Sequence, residues 1–288
     1  MFILQNGDKV TGFAAVEGMF EGSITGNVIN ATFATKRTMT LTMSSDGKRF
    51  TSQFYMTPTG PESRANSKFG ERLSRVTYVV AELNASGWAK PELDKAAKYG
   101  LIPDSLKTAD LTKPITRAEF AAVAVMVFEN LSGITTTPSP ASTFTDTQDN
   151  YVLRAHNTGL MVGVSENKFD PNTKLNRESA ATALTRVLKR AYIPGWTFAT
   201  DGNYTLNYKR PATFEDDAQI SGWAKDSVYF MAANNVIQGV GGNKFAPRAT
   251  TTAEQAAGYA VATREQAIII GVRLVENLKD KPLNYTGG

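Results

Sequence analysis

The residues alone predict an α+β chain: a short-stranded β-meander, then a mainly helical region made of three diverged copies of one helix–loop–helix unit. Three observations lead there. Strand-forming runs bounded by Gly, Asn and Asp fill residues 1–60. Beyond residue 87, apolar residues recur at helical spacing. Segments of that second part also repeat one another almost verbatim, which marks a repeat architecture.

In the first part, Phe2-Ile3-Leu4 runs into Gln5-Asn6-Gly7-Asp8, an Asn-Gly turn signal. Strands are expected over 10–13, 22–26 and 39–43, and Ser45-Asp46-Gly47-Lys48 is a second hairpin turn before a strand at 49–54. Phe2 already lies in a strand, so the segment reads as the tail of a longer sheet module. Residues 61–86 mix Pro, Ser, Arg, Lys and Gly and read as a connector.

The repeats are expected at 87–134, 141–194 and 212–280. Gly163-Val164-Ser165-Glu166-Asn167-Lys168-Phe169-Asp170-Pro171 and Gly239-Val240-Gly241-Gly242-Asn243-Lys244-Phe245-Ala246-Pro247 agree at six of nine positions. Phe144-Thr145-Asp146 parallels Phe214-Glu215-Asp216, and Gly87-Trp88-Ala89-Lys90 recurs as Gly222-Trp223-Ala224-Lys225. Each unit opens with a short helix whose apolar face is Leu93, Ala96 and Ala97, then Val152, Ala155 and His156, then Val228, Met231 and Ala232. Gly100, Gly159 and Asn235 follow as left-handed stops.

A second helix closes each unit. Thr116-Arg117-Ala118-Glu119 is a capping box ahead of a face of Phe120, Val123, Ala124 and Val127. Asn176-Arg177 opens its counterpart, with Ala180, Ala183, Leu184 and Val187 in the same register. In the third unit Thr252-Ala253-Glu254-Gln255 puts Ala253 where the arginine belongs. Thr263-Arg264-Glu265-Gln266 follows shortly after, so an insertion is expected to displace the arginine-headed helix.

Composition narrows the functional classes. The chain has 288 residues, 42% hydrophobic and 20% charged, typical of a folded protein. It has no apolar run of about 18 residues, which argues against membrane insertion. Residues 1–9 lack a basic head and apolar core, so no signal peptide is read in this chain. The absence of cysteine excludes disulfides, thiolate metal sites and cysteine nucleophiles. A net charge of +4 without dense Lys/Arg runs argues against nucleic acid. With one histidine and no cysteine, neither a metal nor a cofactor is expected.

The candidate ligand-binding residues come from the repeats. A first-turn arginine opposes the helix dipole by about 0.3–1 kcal/mol, yet Arg117, Arg177 and Arg264 repeat the choice. Free first-turn amides beside a guanidinium would receive a carboxylate; the competing reading is an ion pair with a nearby acid. Trp88 and Trp223, at the mouths of short helices, suit a sugar site or a partial core. Asp146 and Asp216 read as turn caps or ligand contacts, and Gly163 and Gly239 open the matched loops. Trp196 and His156 read as packing residues. Gly239-Val240-Gly241-Gly242 is not a phosphate loop, because no Lys-Ser/Thr follows. No catalytic residues are expected.

Ile115-Thr116-Arg117-Ala118-Glu119-Phe120, the two Phe-x-Asp pairs, the Gly-Val-x-x-Asn-Lys-Phe-x-Pro loops and the threefold repetition resemble the S-layer homology (SLH) family over residues 87–279. The resemblance implies a pseudo-three-fold helical bundle on the bacterial cell surface. Its grooves would bind an anionic, often pyruvylated, secondary cell-wall polysaccharide without covalent attachment. The motif arginine would meet the acidic ketal, a role that falls on Arg117 and Arg177. Arg264 is the weaker match because of Ala253, and Asn176 replaces the usual threonine. Unit one lacks a Phe-x-Asp before Trp88, so unequal grooves are expected. Two alternatives stay open: a structural surface-array protein that self-associates, and the anchor remnant of an envelope hydrolase.

Overall fold

The computed structural model describes residues 83–288 throughout and, before them, strand residues 2–6, 9–14, 18–25, 28–33, 38–43, 49–55 and 76–79. The chain is mixed α and β and divides into two compact units, Met1–Glu82 and Leu83–Gly288.

The first unit is a seven-stranded sheet: β1 (Phe2–Asn6), β2 (Lys9–Ala14), β3 (Gly18–Thr25), β4 (Val28–Phe33), β5 (Thr38–Met43), β6 (Arg49–Tyr55) and β7 (Val76–Val79). The strands lie in chain order, each antiparallel to the next. On β4, Ile29 and Ala31 are buried while Asn30 and Thr32 are exposed, the two-residue period of a pleated strand. Ile29 stands in register with Ile24 and Leu41. β4 is missing from the expected strands, although Val28, Ile29, Thr32 and Phe33 are strong strand formers and Ile29 and Ala31 keep the alternation of a pleated strand. So is β7, which lies in the expected connector. The turns expected at Gly7-Asp8 and 45–48 lie outside the described residues.

The second unit carries helices α1 (Lys90–Tyr99), α2 (Arg117–Ser132), α3 (Asn150–Thr158), α4 (Arg177–Tyr192), α5 (Lys225–Ala233), α6 (Thr252–Ala256) and α7 (Arg264–Leu278). A small ribbon pairs β8 (Tyr204–Leu206) with β9 (Tyr285–Gly287). Each long helix is capped: Thr116 with Glu119 on α2, Asn176 on α4, and Thr263 with Gln266 on α7. Gly100, Gly159 and Asn235 take positive φ after the short helices, as expected.

The long helices α2, α4 and α7 pack on one another, and each also holds the short helix of the following unit: α2 on α3, α4 on α5, α7 on α1. That arrangement buries α2 almost all round. Ala121, Ala122, Val125 and Phe128 are buried beside the anticipated stripe, so a helix apolar on every side takes a central place.

The units close on one another through backbone. Ile115 N–H donates to Ala262 O (2.9 Å), Ala262 N–H to Leu175 O (3.3 Å), and Leu175 N–H to Ile115 O (3.0 Å). All three residues are buried. Buried amides must be paired, and this triangle pairs one from each unit while fixing the three long helices at their N-termini.

Candidate ligand-binding clefts

At the mouths of α2, α4 and α7 the first two amides are already occupied. Arg117 and Ala118 donate to Thr173 O and Pro171 O (2.9 and 3.0 Å). Arg177 and Glu178 donate to Ala260 O and Pro247 O (both 3.1 Å). Arg264 and Glu265 donate to Lys113 O and Leu111 O (both 2.9 Å). The expectation of free amides as half of a carboxylate receptor is therefore corrected. The next unit's loop docks on each helix end and uses them, leaving the guanidinium groups alone to face a ligand.

Arg117 donates from Nε to Phe169 O and from Nη2 to Val162 O, both at 3.0 Å, with its guanidinium 4.7 Å above the Phe169 ring. Arg177 repeats this on the next loop: Nε to Phe245 O (2.9 Å), Nη2 to Gln238 O, and 4.9 Å to the Phe245 ring. Each thus spends two of five N–H donors on loop carbonyls and keeps three. Neither appears in the ion pairs among the described residues. Burial pulls both guanidinium groups below their ordinary pKa, opposed at Arg117 by Asp170 and Asp146 and at Arg177 by Asp216 and Tyr259. Both stay charged at neutral pH. A partly desolvated cation with free donors and no direct carboxylate is suited to an anion.

Arg264 does head α7, as the insertion reading expected, and Ala253 lies on the short α6. Its side chain nevertheless departs from the other two. Nε and Nη2 donate to Glu119 Oε1 at 3.0 and 2.7 Å, and Nη1 to Asp110 O at 2.9 Å. Ala109 stands where Phe169 and Phe245 lie under the other arginines, so no ring supports it. An internal carboxylate holds the Arg264 guanidinium.

The clefts lie beside these arginines. One, of about 140 Å³, is lined by Arg117, the 161–164 loop, Ser179, Arg186 and Trp223. A smaller one, of about 20 Å³, is lined by Arg177, Ile237, Gln266 and Ile270 at equivalent positions. Trp223 is 61% exposed and Trp88 58% exposed, so neither is core. Ser221 N–H and Oγ donate to the buried Glu178 at 2.9 Å, seating Trp223 at the mouth of α4. Ser86 holds the buried Glu265 in the same way at 2.8 Å, two residues before Trp88 at the mouth of α7. At the mouth of α2, Ala118 offers no carboxylate. Asp149 instead caps its own helix α3, and Thr147 takes the tryptophan position in the register set by Leu93, Val152 and Val228.

Other candidates hold loops. Asp146 accepts from the Phe169 and Asp170 amides (3.0 and 2.8 Å), and Asp216 from Phe245 and Ala246 (2.8 and 2.7 Å). The oxygens of both aspartates are engaged by backbone amides of the matched loops. The Phe169 amide chiefly, with that of Asp170 and against burial, holds the Asp146 carboxyl below the usual range. A Cβ on Gly163 would meet Ser165 O at 2.5 Å, and one on Gly239 would meet Lys244 O at 2.6 Å, so these glycines permit the tight loops. Gly163 also borders the Arg117 cleft. Trp196 is buried, with Nε1 donating to Asp201 Oδ1 at 3.0 Å. His156 packs edge-on to Phe144, and burial lowers its pKa.

Sequence reasoning missed Arg186, Ser179 and the Ser–Glu clasps. The clasps had a signal: both Gly-Trp-Ala-Lys copies follow a serine, and a glutamate follows both Arg177 and Arg264. Arg186 had a signal in its recurrence as Arg273, each nine residues after the first-turn arginine, but it reaches the cleft only by packing. Its Nε is 3.6 Å from Asp201 Oδ2, and its guanidinium lies 4.7 Å from the Phe198 ring. Among the described residues no group of three or more His, Cys, Asp or Glu is placed to hold a metal, and no helix is long and apolar enough to cross a membrane.

Two known proteins are similar to this chain over most of its length. The amylopullulanase of Thermoanaerobacterium thermosulfurigenes is 23% identical over 279 residues, covering 86% of this chain and 14% of that protein. The exoglucanase XynX of Acetivibrio thermocellus is 27% identical over 233 residues, covering 74% and 19%. The chain thus spans less than a fifth of either relative's length. The family model of the S-layer homology domain matches residues 213–257, a stretch that contains Asp216, Trp223, Gly239 and α6 and stops short of Arg264. Residues 213–257 are therefore similar to the S-layer homology domain.

Proposed function

We propose that this chain anchors a bacterial surface protein, non-covalently and outside the cell, by gripping an anionic secondary cell-wall polysaccharide, a pyruvate ketal being the favoured acidic group. The three repeats act as one pseudo-three-fold bundle. Arg117 and Arg177 meet the acid, Trp223 and Trp88 offer a face to the sugar ring, and Gly163 and Gly239 shape the loops. The chain supplies attachment, and any catalysis belongs to other parts of a longer protein. The observation that carries this reading is the pair of clefts whose arginines rest on a phenylalanine ring and, among the described residues, keep three donors unused and have no ion-pair partner.

The test is co-sedimentation with purified wall sacculi. Each charge-assisted contact contributes about 1.5–3 kcal/mol, so Arg117→Ala with Arg177→Ala should weaken retention at least tenfold with helix content unchanged by circular dichroism. Undiminished retention of that folded double variant would end the assignment of these arginines.

A further inference from the structure

The geometry points to Glu119 as the residue that decides how many acidic sugars this chain holds, by closing the Arg264 position to anions; the inference rests on the anionic-glycan reading above. The second residue after each arginine faces the guanidinium of the preceding unit's helix. Ser179 on α4 borders the cleft of Arg117, and Gln266 on α7 that of Arg177. Glu119 on α2 meets Arg264, whose Nε and Nη2 both donate to Oε1. Only there is the facing residue an acid. A ligand carboxylate would have to displace one already held at contact distance, with both side chains about one fifth exposed and poorly screened.

Other features of that position have been given up together. Ala109 replaces the ring, Thr147 the tryptophan, and Met126 occupies the place of Arg186 on α4 and Arg273 on α7. The charge is the decisive difference, because it opposes the ligand directly whereas the others only remove support.

The molecule itself indicates a substitution that leaves the helix intact. Glu119 Oε2 accepts from the Thr116 amide at 2.9 Å, closing the cap of α2. Gln266 does the same on α7, where Oε1 accepts from Thr263 at 3.1 Å. Glu119→Gln therefore keeps the cap and turns an amide N–H₂ toward Arg264, which releases the guanidinium.

The experiment is calorimetric titration of the full chain with a methyl N-acetylhexosaminide bearing a single 4,6-linked pyruvate ketal. Wild type should bind two equivalents and Glu119→Gln three. Ser179→Glu, which places the same acid opposite Arg117, should bind one. A Glu119→Gln variant with unchanged melting temperature and still two equivalents would overturn the proposal, as would three equivalents for wild type. Absence of binding to wild type would remove the anionic-sugar reading itself, a separate failure from that of the Glu119 arm.

Discussion

The positions headed by Arg117 and Arg264 have the same backbone and opposite electrostatics. In both, the arginine follows a threonine cap, its amide is taken by a loop of the next unit, and its guanidinium reaches a carbonyl of that loop. At Arg117 the guanidinium rests on Phe169, faces Ser179 and borders a cleft with Trp223 on its rim. At Arg264 it lies against Glu119, with Ala109 below and Thr147 at the tryptophan position. Repetition of a scaffold therefore does not repeat a site. Backbone pairing preserves the three junctions, while a few side chains decide whether each junction presents a cation to solvent or neutralises it.

The comparison can be pressed by remaking the Arg117 cleft in the image of the other. The largest effect is expected from Phe169→Ala, which imitates Ala109. Phe169 is fully buried against Phe144 and beneath Arg117. Truncation of such a ring costs about 3–5 kcal/mol, read as a lower urea midpoint at unchanged slope. A loss under about 1 kcal/mol would mean the ring is not what supports the loop.

Trp223→Thr, imitating Thr147, should affect binding alone. An exposed side chain contributes within about 0.5 kcal/mol of stability, whereas loss of an aromatic face should weaken the ketal sugar about threefold to tenfold, near 1 kcal/mol. A clear fall in melting temperature with unchanged affinity would reverse that assignment.

The smallest effect concerns acid. The amides of Phe169 and Asp170 hold the Asp146 carboxyl below its ordinary value of about 3.9. A depressed carboxylate stabilises the fold above the unfolded value and loses that contribution as pH falls through the folded one. The Phe169 and Asp170 amide resonances should therefore stay constant down to about pH 4 and move only below it. Movement centred near neutrality would show that Asp146 does not hold this loop.

Much of the helical unit was legible because its signals are local. Capping boxes at Thr116 and Thr263, the stops at Gly100 and Gly159, and the apolar period of α4 depend on residues within a turn or two of one another. The displaced α7 was readable for the same reason, since Thr263-Arg264-Glu265-Gln266 carries its own cap. β4 was passed over although Val28, Ile29, Thr32 and Phe33 favour a strand, because Asn30 and Ala31 interrupt the apolar run while its register is set by neighbours on both sides.

The chain order of residues, by itself, determined three repeats, their helix boundaries and the recurrence of a first-turn arginine. Tertiary structure decided what those arginines are worth. Whether a guanidinium meets Ser179, Gln266 or Glu119 depends on which helix end comes to face it, and those partners are 62, 89 and 145 residues away. Coulomb energy falls off with distance in space and is indifferent to separation along the chain, so only the closed arrangement of the three units separates two cations open to a ligand from one already neutralised.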